Sequence, residues 1–528
     1  MKYCLSLRFS AIQKAILRHH RLWSIAGTSD LLAQINEIYL PQLCTEKNGF
    51  PIISAGGKFT AVFENEQAAI SAADSIKKLI STEMPFLEVQ YSGPKKAEKL
   101  VDALFPESEP GLLADLSEQK RCFRGYAYTY NPYLKTCDEC SEYPAEENWV
   151  GGGHICRFCK GSYQRASLNL KDLINKDESK LTSIKLVYKR FAERMHHKRD
   201  IQIPRNFNNL FSSERDDATN RIAVWASDIN NMGDKLPLWL RLDEHDIYKI
   251  FDTIRKLNID VIIEALVNTF GDNAVRSENE TGETQTFLPF RIIVAGGDDL
   301  CIVTDSHYIV KFAIELSKAF RKCVEDSVGS NREHPLNEKF LLSLADKLKL
   351  RVTIKRHSFG GAFVVAPLHA PFQLLHSAVE GLMKIAKEKT DRKENSVNWR
   401  ILAAEEQPTS EALLPFDKPL FIDSFPESYS GLTFAKYCEL AEKYRGLSNA
   451  QRQKIVSTMI ELIQKFGRTS KANSELDMFL KRTPEAFRGP DSVINKLLLD
   501  KNLKEEDSVS IARLCTLFEI MELTGDRR

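Results

Sequence analysis

The sequence has no apolar run that approaches the ~20 residues a membrane-spanning helix needs. Its first residues, MKYCLSLRFSAIQKAILRHHRL, lack the unbroken apolar core and small-residue cleavage site of a signal peptide. Net charge is almost nil: 73 Lys and Arg stand against 72 Asp and Glu, a formal +1. No global field therefore draws the chain to nucleic acid or to a membrane, and any polyanion site must be a local patch. Low-complexity tracts are absent. Cysteine is sparse, 11 in 528 residues; seven are scattered and four are grouped, which points to metal rather than disulfides. These absences leave a cytoplasmic globular protein with no membrane partner as the expectation. The length is too great for one ordinary core and implies roughly three or four domains.

What is present begins with an internal repeat. Ile52–Phe63 reads IISAGGKFTAVF and Ile292–Val303 reads IIVAGGDDLCIV, so Ile-Ile-x-Ala-Gly-Gly recurs in the same register. Each copy follows a strand-like run (KYCLSLRF, RIAVWASD) and precedes a helical one (EQAAISAADSIKKLI, HYIVKFAIELSKAFRKC). In the second, Ile309, Ala313, Leu316, Phe320 and Cys323 fall on one helical face. Strand, helix, hairpin, helix, strand is the ferredoxin-like order of a polymerase Palm. The fold class expected is α+β, in four regions. These are a first, degenerate Palm (1–100), a zinc-binding and helical linker (101–215), a second, catalytic Palm (216–405) and a C-terminal helical domain (406–528).

The second hairpin carries the chemistry. Gly296 and Gly297 permit positive φ and close approach of a nucleotide, and Asp298 and Asp299 put two carboxylates side by side. Such a pair repels itself unless a cation intervenes, and hard oxygen donors suit Mg²⁺ or Mn²⁺. Asp228 ends the strand expected beside this hairpin, and Ile229 and Asn230 open a loop resembling a nucleotide cradle. Three acids could hold two ions that activate a hydroxyl and steady a leaving pyrophosphate. The plain alternative is a solvated turn of turn-forming residues. The first repeat is a control: Gly56-Gly57-Lys58-Phe59 bears no carboxylate, and its strand has no acid at the matching place. Downstream, Ser358 and Gly360-Gly361 either approach a base or sugar or form a bulge. Lys387 either reaches a triphosphate or complements a helix C-terminus.

Cys137-x2-Cys140 and Cys156-x2-Cys159 form two knuckles fifteen residues apart, a pattern for one structural Zn²⁺ with no open position. The alternative is four reduced thiols. Lys185–Asp200 is strongly basic and helical in pattern, suited either to RNA phosphates or to a solvated face. Arg121–Tyr133 interleaves arginine with aromatics, for base stacking or for a buried strand face.

The GGDD hairpin, the loop Asp228-Ile-Asn-Asn-Met-Gly, the helix through Ala386-Lys387 and the degenerate preceding Palm resemble one family. It is the large polymerase/cyclase subunit of type III CRISPR effector complexes. The resemblance implies a nucleotidyltransferase, activated by target RNA, that joins ATP into cyclic oligoadenylates with two Mg²⁺ or Mn²⁺ ions. Asp228, Asp298 and Asp299 would be the metal ligands, Ser358 would lie by an adenine, and Lys387 near phosphates. Gly56 and Gly57 would face a second ATP held by the first Palm. Guide and target RNA and other type III subunits, the small helical one included, would be partners. Many members begin with an HD nuclease domain. This chain starts at the first Palm, so no HD DNase activity is expected. The family's loop commonly reads Asp-x-Asp-Asn, and Asn230 here removes one charge. Joining ATP to S-adenosylmethionine in the same site, a non-catalytic RNA-binding scaffold, and a free-standing GGDEF-like cyclase are the other readings.

Overall fold

A computed structural model describes residues 2–104 (11 and 20 excepted), 111–121, 134–148, 153–195, 200–213, 220–278, 282–330, 337–347, 357–402, 419–424 and 432–443. It also describes positions 458, 461, 465 and 516–524 (518 excepted). The aromatic-rich residues 122–133 and most of the C-terminal helical pattern, 449–466 apart from 458, 461 and 465, lie outside the described residues.

The first repeat folds as β1 (Lys2–Ser10), helices, β2 (Gly49–Ala55), β3 (Lys58–Phe63), the helix Glu66–Glu83 and β4 (Glu88–Ala97). Its sheet runs β2-β3-β1-β4, all antiparallel. Alternation decides the faces of β1. Leu5, Leu7 and Phe9 face the helices, while Cys4 faces a smaller cluster with Leu100, Ala103 and Leu112. Asn65 caps the helix Glu66–Glu83, its Oδ1 accepting from Ala68 N at 2.8 Å.

A small module follows, with the two-residue strands β5 (Glu147–Asn148) and β6 (His154–Ile155) and the helix Arg157–Ala166. The second repeat starts with β7 (Arg221–Ile229) and passes through the helix Glu244–Phe270 and a short hairpin, β8 (Val275–Glu278) and β9 (Thr284–Phe287). Then come β10 (Phe290–Gly296), β11 (Asp299–Asp305), the helix Ser306–Ser330 and β12 (Phe359–Pro367). Strand order β10-β11-β7-β12 repeats that of the first sheet, as the shared element order requires. Two strands extend it: β13 (Ser396–Ile401), parallel to β12, and β14 (Leu420–Phe421). The fold is thus α+β with two Palm-like sheets. On the helix Ser306–Ser330, Ile309, Ala313, Leu316 and Phe320 are buried, the face expected from spacing; Cys323 is half-buried.

One face of the second sheet shares a core with the first. Val224, Cys301, Ala362 and Val364 pack in the same cluster as Leu7, Phe59 and Ile76. The opposite face holds Trp225, Phe363 and Trp399, stacked in series, and is joined there by Phe434, Tyr437, Leu517 and Met521. Each large side chain buried in this way contributes roughly 1.5–3 kcal/mol. No helix among the described residues is long and apolar enough to cross a membrane.

The basic segment 185–200 corrects an expectation. Its described part, in the helix Ser183–Arg194, buries Leu186, Val187, Tyr188 and Phe191. Its cations face acids of the same chain: Lys185 pairs with Asp30 at 2.7 Å, Arg190 with Glu178 at 3.0 Å and Arg194 with Glu264 at 2.7 Å. This is a core helix with internally neutralised charge, not an open phosphate-binding face. Residues 196–199 lie outside the described set.

Candidate active site

Strand register builds the site. Gly296 pairs with Asp299, Asp299 with Asp228, and Asp228 with Gly360. Partners directly opposite one another share a face, so these positions form one row across four strands, ~5 Å apart. Asp298 occupies the turn between β10 and β11, its carbonyl accepting from Ile229 N at 3.2 Å. One carboxylate oxygen from each of Asp228, Asp298 and Asp299 lies within 4.8 Å of the other two. Gly297, at φ +61°, is the first central residue of this two-residue turn, where an L side chain would be strained.

The acids repel. Burial first, then the Asp228 charge, pushes the Asp298 carboxyl up to about 6. Burial and then Asp298 push Asp299 up to about 8. A hard divalent cation relieves this repulsion, and three carboxylates in reach of one another match its donor preference. Lys387, on the helix Phe372–Lys389, donates from Nζ to Asp228 Oδ2. It reaches there because residue 360 is glycine: a Cβ at Gly360 would sit 2.3 Å from Lys387 Cγ.

Four expected residues have different surroundings from those anticipated. Ser358 is fully buried. Its Oγ accepts from Asn230 Nδ2 at 2.8 Å and donates to Arg392 O at 3.0 Å, so its hydroxyl is engaged in fixing the loop after β7. Asn230 is equally buried, and its side chain turns to Ser358 rather than to the acids. The charge removed at this position is therefore not missing from the acid cluster. Ile229 adds only its backbone N–H, its side chain lying in the core. Gly361 accommodates Trp225, whose Cζ2 would lie 2.5 Å from an added Cβ.

The two hairpin tips meet. A Cβ on Gly297 would lie 3.8 Å from Gly56 N and 3.9 Å from Ala55 Cβ. Gly56 and Gly57, at φ +57° and +71°, form the first tip. Between the tips and the helices Met232–Trp239 and Glu244–Phe270 opens a cavity of about 320 Å³. Ile53, Gly56 and Lys58 line one side, Met232, Trp239 and Phe251 another, and Gly297, Asp298 and Asp299 the acidic end. Gly57 instead packs on Ile12.

Glu37 and Arg255 also line this cavity and were not foreseen. Glu37 sits in a π-helical turn, Ile35–Tyr39, which no spacing pattern reveals. Burial raises its carboxyl above the ordinary range, opposed by Arg255. Lys235 was missed as well: its Nζ lies 2.8 Å and 3.1 Å from the two ring nitrogens of His357, and burial lowers its pKa to about 8.

Away from the cavity, Cys137, Cys140, Cys156 and Cys159 are buried with their Sγ atoms within 4.8 Å of one another. The 3.9 Å between Cys140 and Cys156 Sγ is close to the edge of a tetrahedron with ~2.3 Å Zn–S bonds. Cys156 Sγ accepts from Cys159 N at 3.5 Å, the turn a knuckle needs. The four thiols fit one structural zinc.

No protein-family model matches the chain, and no curated protein matches it. Solved structures do. Csm1 in T.onnurineus superposes with a TM-score of 0.54 at 15% identity, over 99% of this chain and 70% of that one. A Csm1-Csm4 cassette in complex with pppApApA gives 0.53 at 13% identity, over 99% and 69%. The cassette in complex with AMPPNP gives 0.51 at 13% identity, over 99% and 70%. From its first strand to its last described helix, the chain has the fold of Csm1, in keeping with the resemblance carried by its motifs.

Proposed function

We propose that this chain is the nucleotidyltransferase subunit of a type III CRISPR complex, forming cyclic oligoadenylates from ATP when target RNA is bound. The observation that carries the proposal is the convergence of Asp228, Asp298 and Asp299 at the mouth of a cavity shared by two hairpin tips. The acids would hold two Mg²⁺ or Mn²⁺ ions, which supply charge neutralisation at the phosphates and lower the pKa of a nearby hydroxyl. Gly297 keeps the turn open to the triphosphate, and the row Asp299–Asp228–Gly360 fixes how far apart the acids stand. Lys387, bonded to Asp228, would meet phosphate oxygens. The cavity wall formed by Ile53, Trp239 and Phe251 excludes water from one side of a bound nucleotide. The Csm1-Csm4 cassette has been solved with AMPPNP and with the linear adenylate pppApApA, which supports an adenine nucleotide as the occupant. Partners would be guide and target RNA and further type III subunits. Domain boundaries would fall near 100, 215 and 405.

Incubation of the assembled complex with labelled ATP, Mn²⁺ and matched target RNA is expected to give oligoadenylates that vanish in Asp298→Ala/Asp299→Ala. Absence of product under every metal, with RNA binding intact, would establish the scaffold reading instead. Adding S-adenosylmethionine to the same tube identifies the second substrate.

A further inference from the structure

The first Palm contributes an acid to the row of functional positions on the second. The helix Leu22–Gln34 does not run straight into Leu40–Glu46: a π turn, Ile35–Tyr39, separates them. Such turns insert one residue and re-aim the side chains beside it, and they concentrate at functional sites. Here the re-aimed side chain is Glu37. Its Oε1 lies 3.6 Å from the Cβ position of Gly296, the end of the row that runs through Asp299 and Asp228 to Gly360. Glu37 therefore overhangs one flank of the acid cluster, as Lys387 overhangs the other.

The two oxygens of Glu37 are used differently. Oε2 accepts from Ser183 N at 2.7 Å and Ser183 Oγ at 2.9 Å. Ser183 is the first residue of a twelve-residue helix, whose N-terminal dipole favours an anion. Arg255 donates from Nε to the Ser183 hydroxyl at 3.1 Å and completes the brace. Both of the carboxylate's hydrogen bonds among the described residues end on Oε2, which leaves Oε1 for a ligand of the cavity that Glu37 lines. A braced carboxylate with one oxygen free is an acceptor in search of a donor.

Resting on the nucleotide reading above, we infer that Glu37 Oε1 accepts a hydrogen bond from a ribose hydroxyl of the nucleotide in the cavity, and so selects ribonucleotides over deoxynucleotides. Position decides between the donors a nucleotide offers. Glu37 stands one strand, ~5 Å, to the side of Asp299. With the phosphates at the acids, the group at that remove is the sugar; the adenine amino group is a whole ring system farther out. A hydrogen bond of this kind, lost with one hydroxyl, is strong enough to set a preference of about tenfold.

The test measures binding, not turnover. ATP, 2′-deoxy-ATP and 3′-deoxy-ATP are titrated into the full chain in Ca²⁺ by calorimetry. The wild type is expected to bind ATP about tenfold tighter than at least one deoxy analogue. Glu37→Ala should bind all three alike. Glu37→Gln keeps the shape: its carbonyl oxygen takes the two Ser183 bonds and its NH₂ faces the cavity, turning an acceptor into a donor. It too should lose the preference, with an unchanged melting curve showing that the fold persists. A wild type indifferent to the hydroxyls, or variants that retain the full preference, overturns the inference while leaving the nucleotide reading in place. A wild type that binds none of the three removes that reading, and the inference with it.

Discussion

Replacing Asp298 by asparagine should remove cation binding and at the same time stabilise the cation-free protein. The carboxyl is raised from 3.8 to about 6 in the fold, by burial and by Asp228. A raised folded pKa means that the group supports the fold fully below about pH 4, and that this support is lost as pH climbs through about 6. Two units correspond to about 3 kcal/mol at 1.36 kcal/mol per unit. Solvent in the cavity screens part of that, leaving on the order of 1–2 kcal/mol. In EDTA at pH 8, Asp298→Asn should therefore melt a few degrees above the wild type, followed by fluorescence of Trp225, Trp239 and Trp399. At pH 4 the two should coincide. Mn²⁺ at pH 8 should raise the wild type and leave the variant where it was. A variant less stable than wild type in EDTA at pH 8, or a wild type that ignores Mn²⁺, would refute the reasoning, because the carboxylates would then be ordinary turn residues.

Mn²⁺ affinity of the wild type should fall steadily from pH 8.5 to pH 5.5, since protons compete for carboxyls raised to about 6 and about 8; a flat profile by electron paramagnetic resonance would count against cation binding there. Gly360→Ala should lower oligoadenylate formation tenfold or more without unfolding the chain, because the new methyl displaces Lys387 at its Cγ, and Lys387→Met should reproduce the loss. Ser358→Ala strips Asn230 and Arg392 of their shared partner and should cost about 1–2 kcal/mol, visible as a lower melting temperature with the nucleotide preference intact. Chelation of zinc with a strong thiol-competitive chelator should lower the melting temperature and expose four thiols to Ellman's reagent; unchanged thiol reactivity would mean that the cluster is metal-free.

Much of the fold could be read from local signals. The repeated Ile-Ile-x-Ala-Gly-Gly hairpins mark equivalent positions in two sheets that share a four-strand order, since turn residues and alternation are local. Acid convergence was legible for the same reason: Asp228 lies near the end of one strand and Asp299 begins another, so pairing alone makes them neighbours. Properties set by tertiary packing were not legible. Ser358 reads as a base or sugar contact or part of a bulge, and its hydrogen bonds to Asn230 and Arg392 are set by segments distant in sequence. The basic helix Ser183–Arg194 reads as a nucleic-acid or solvated face until Glu178, just before it, and Asp30 and Glu264, distant in sequence, are found opposite its cations. Glu37 gave no signal at all, because a π turn is a departure from the helical period on which sequence reading depends.

The most direct measurement is a count of Mn²⁺ bound per chain in the presence of a non-hydrolysable ATP analogue, for the wild type and for Asp228→Ala/Asp298→Ala/Asp299→Ala. Two ions in the wild type and none at this affinity in the triple variant is the expected result. Equal counts in both proteins would show that the three acids do not gather the cations, and the proposed chemistry would have no site.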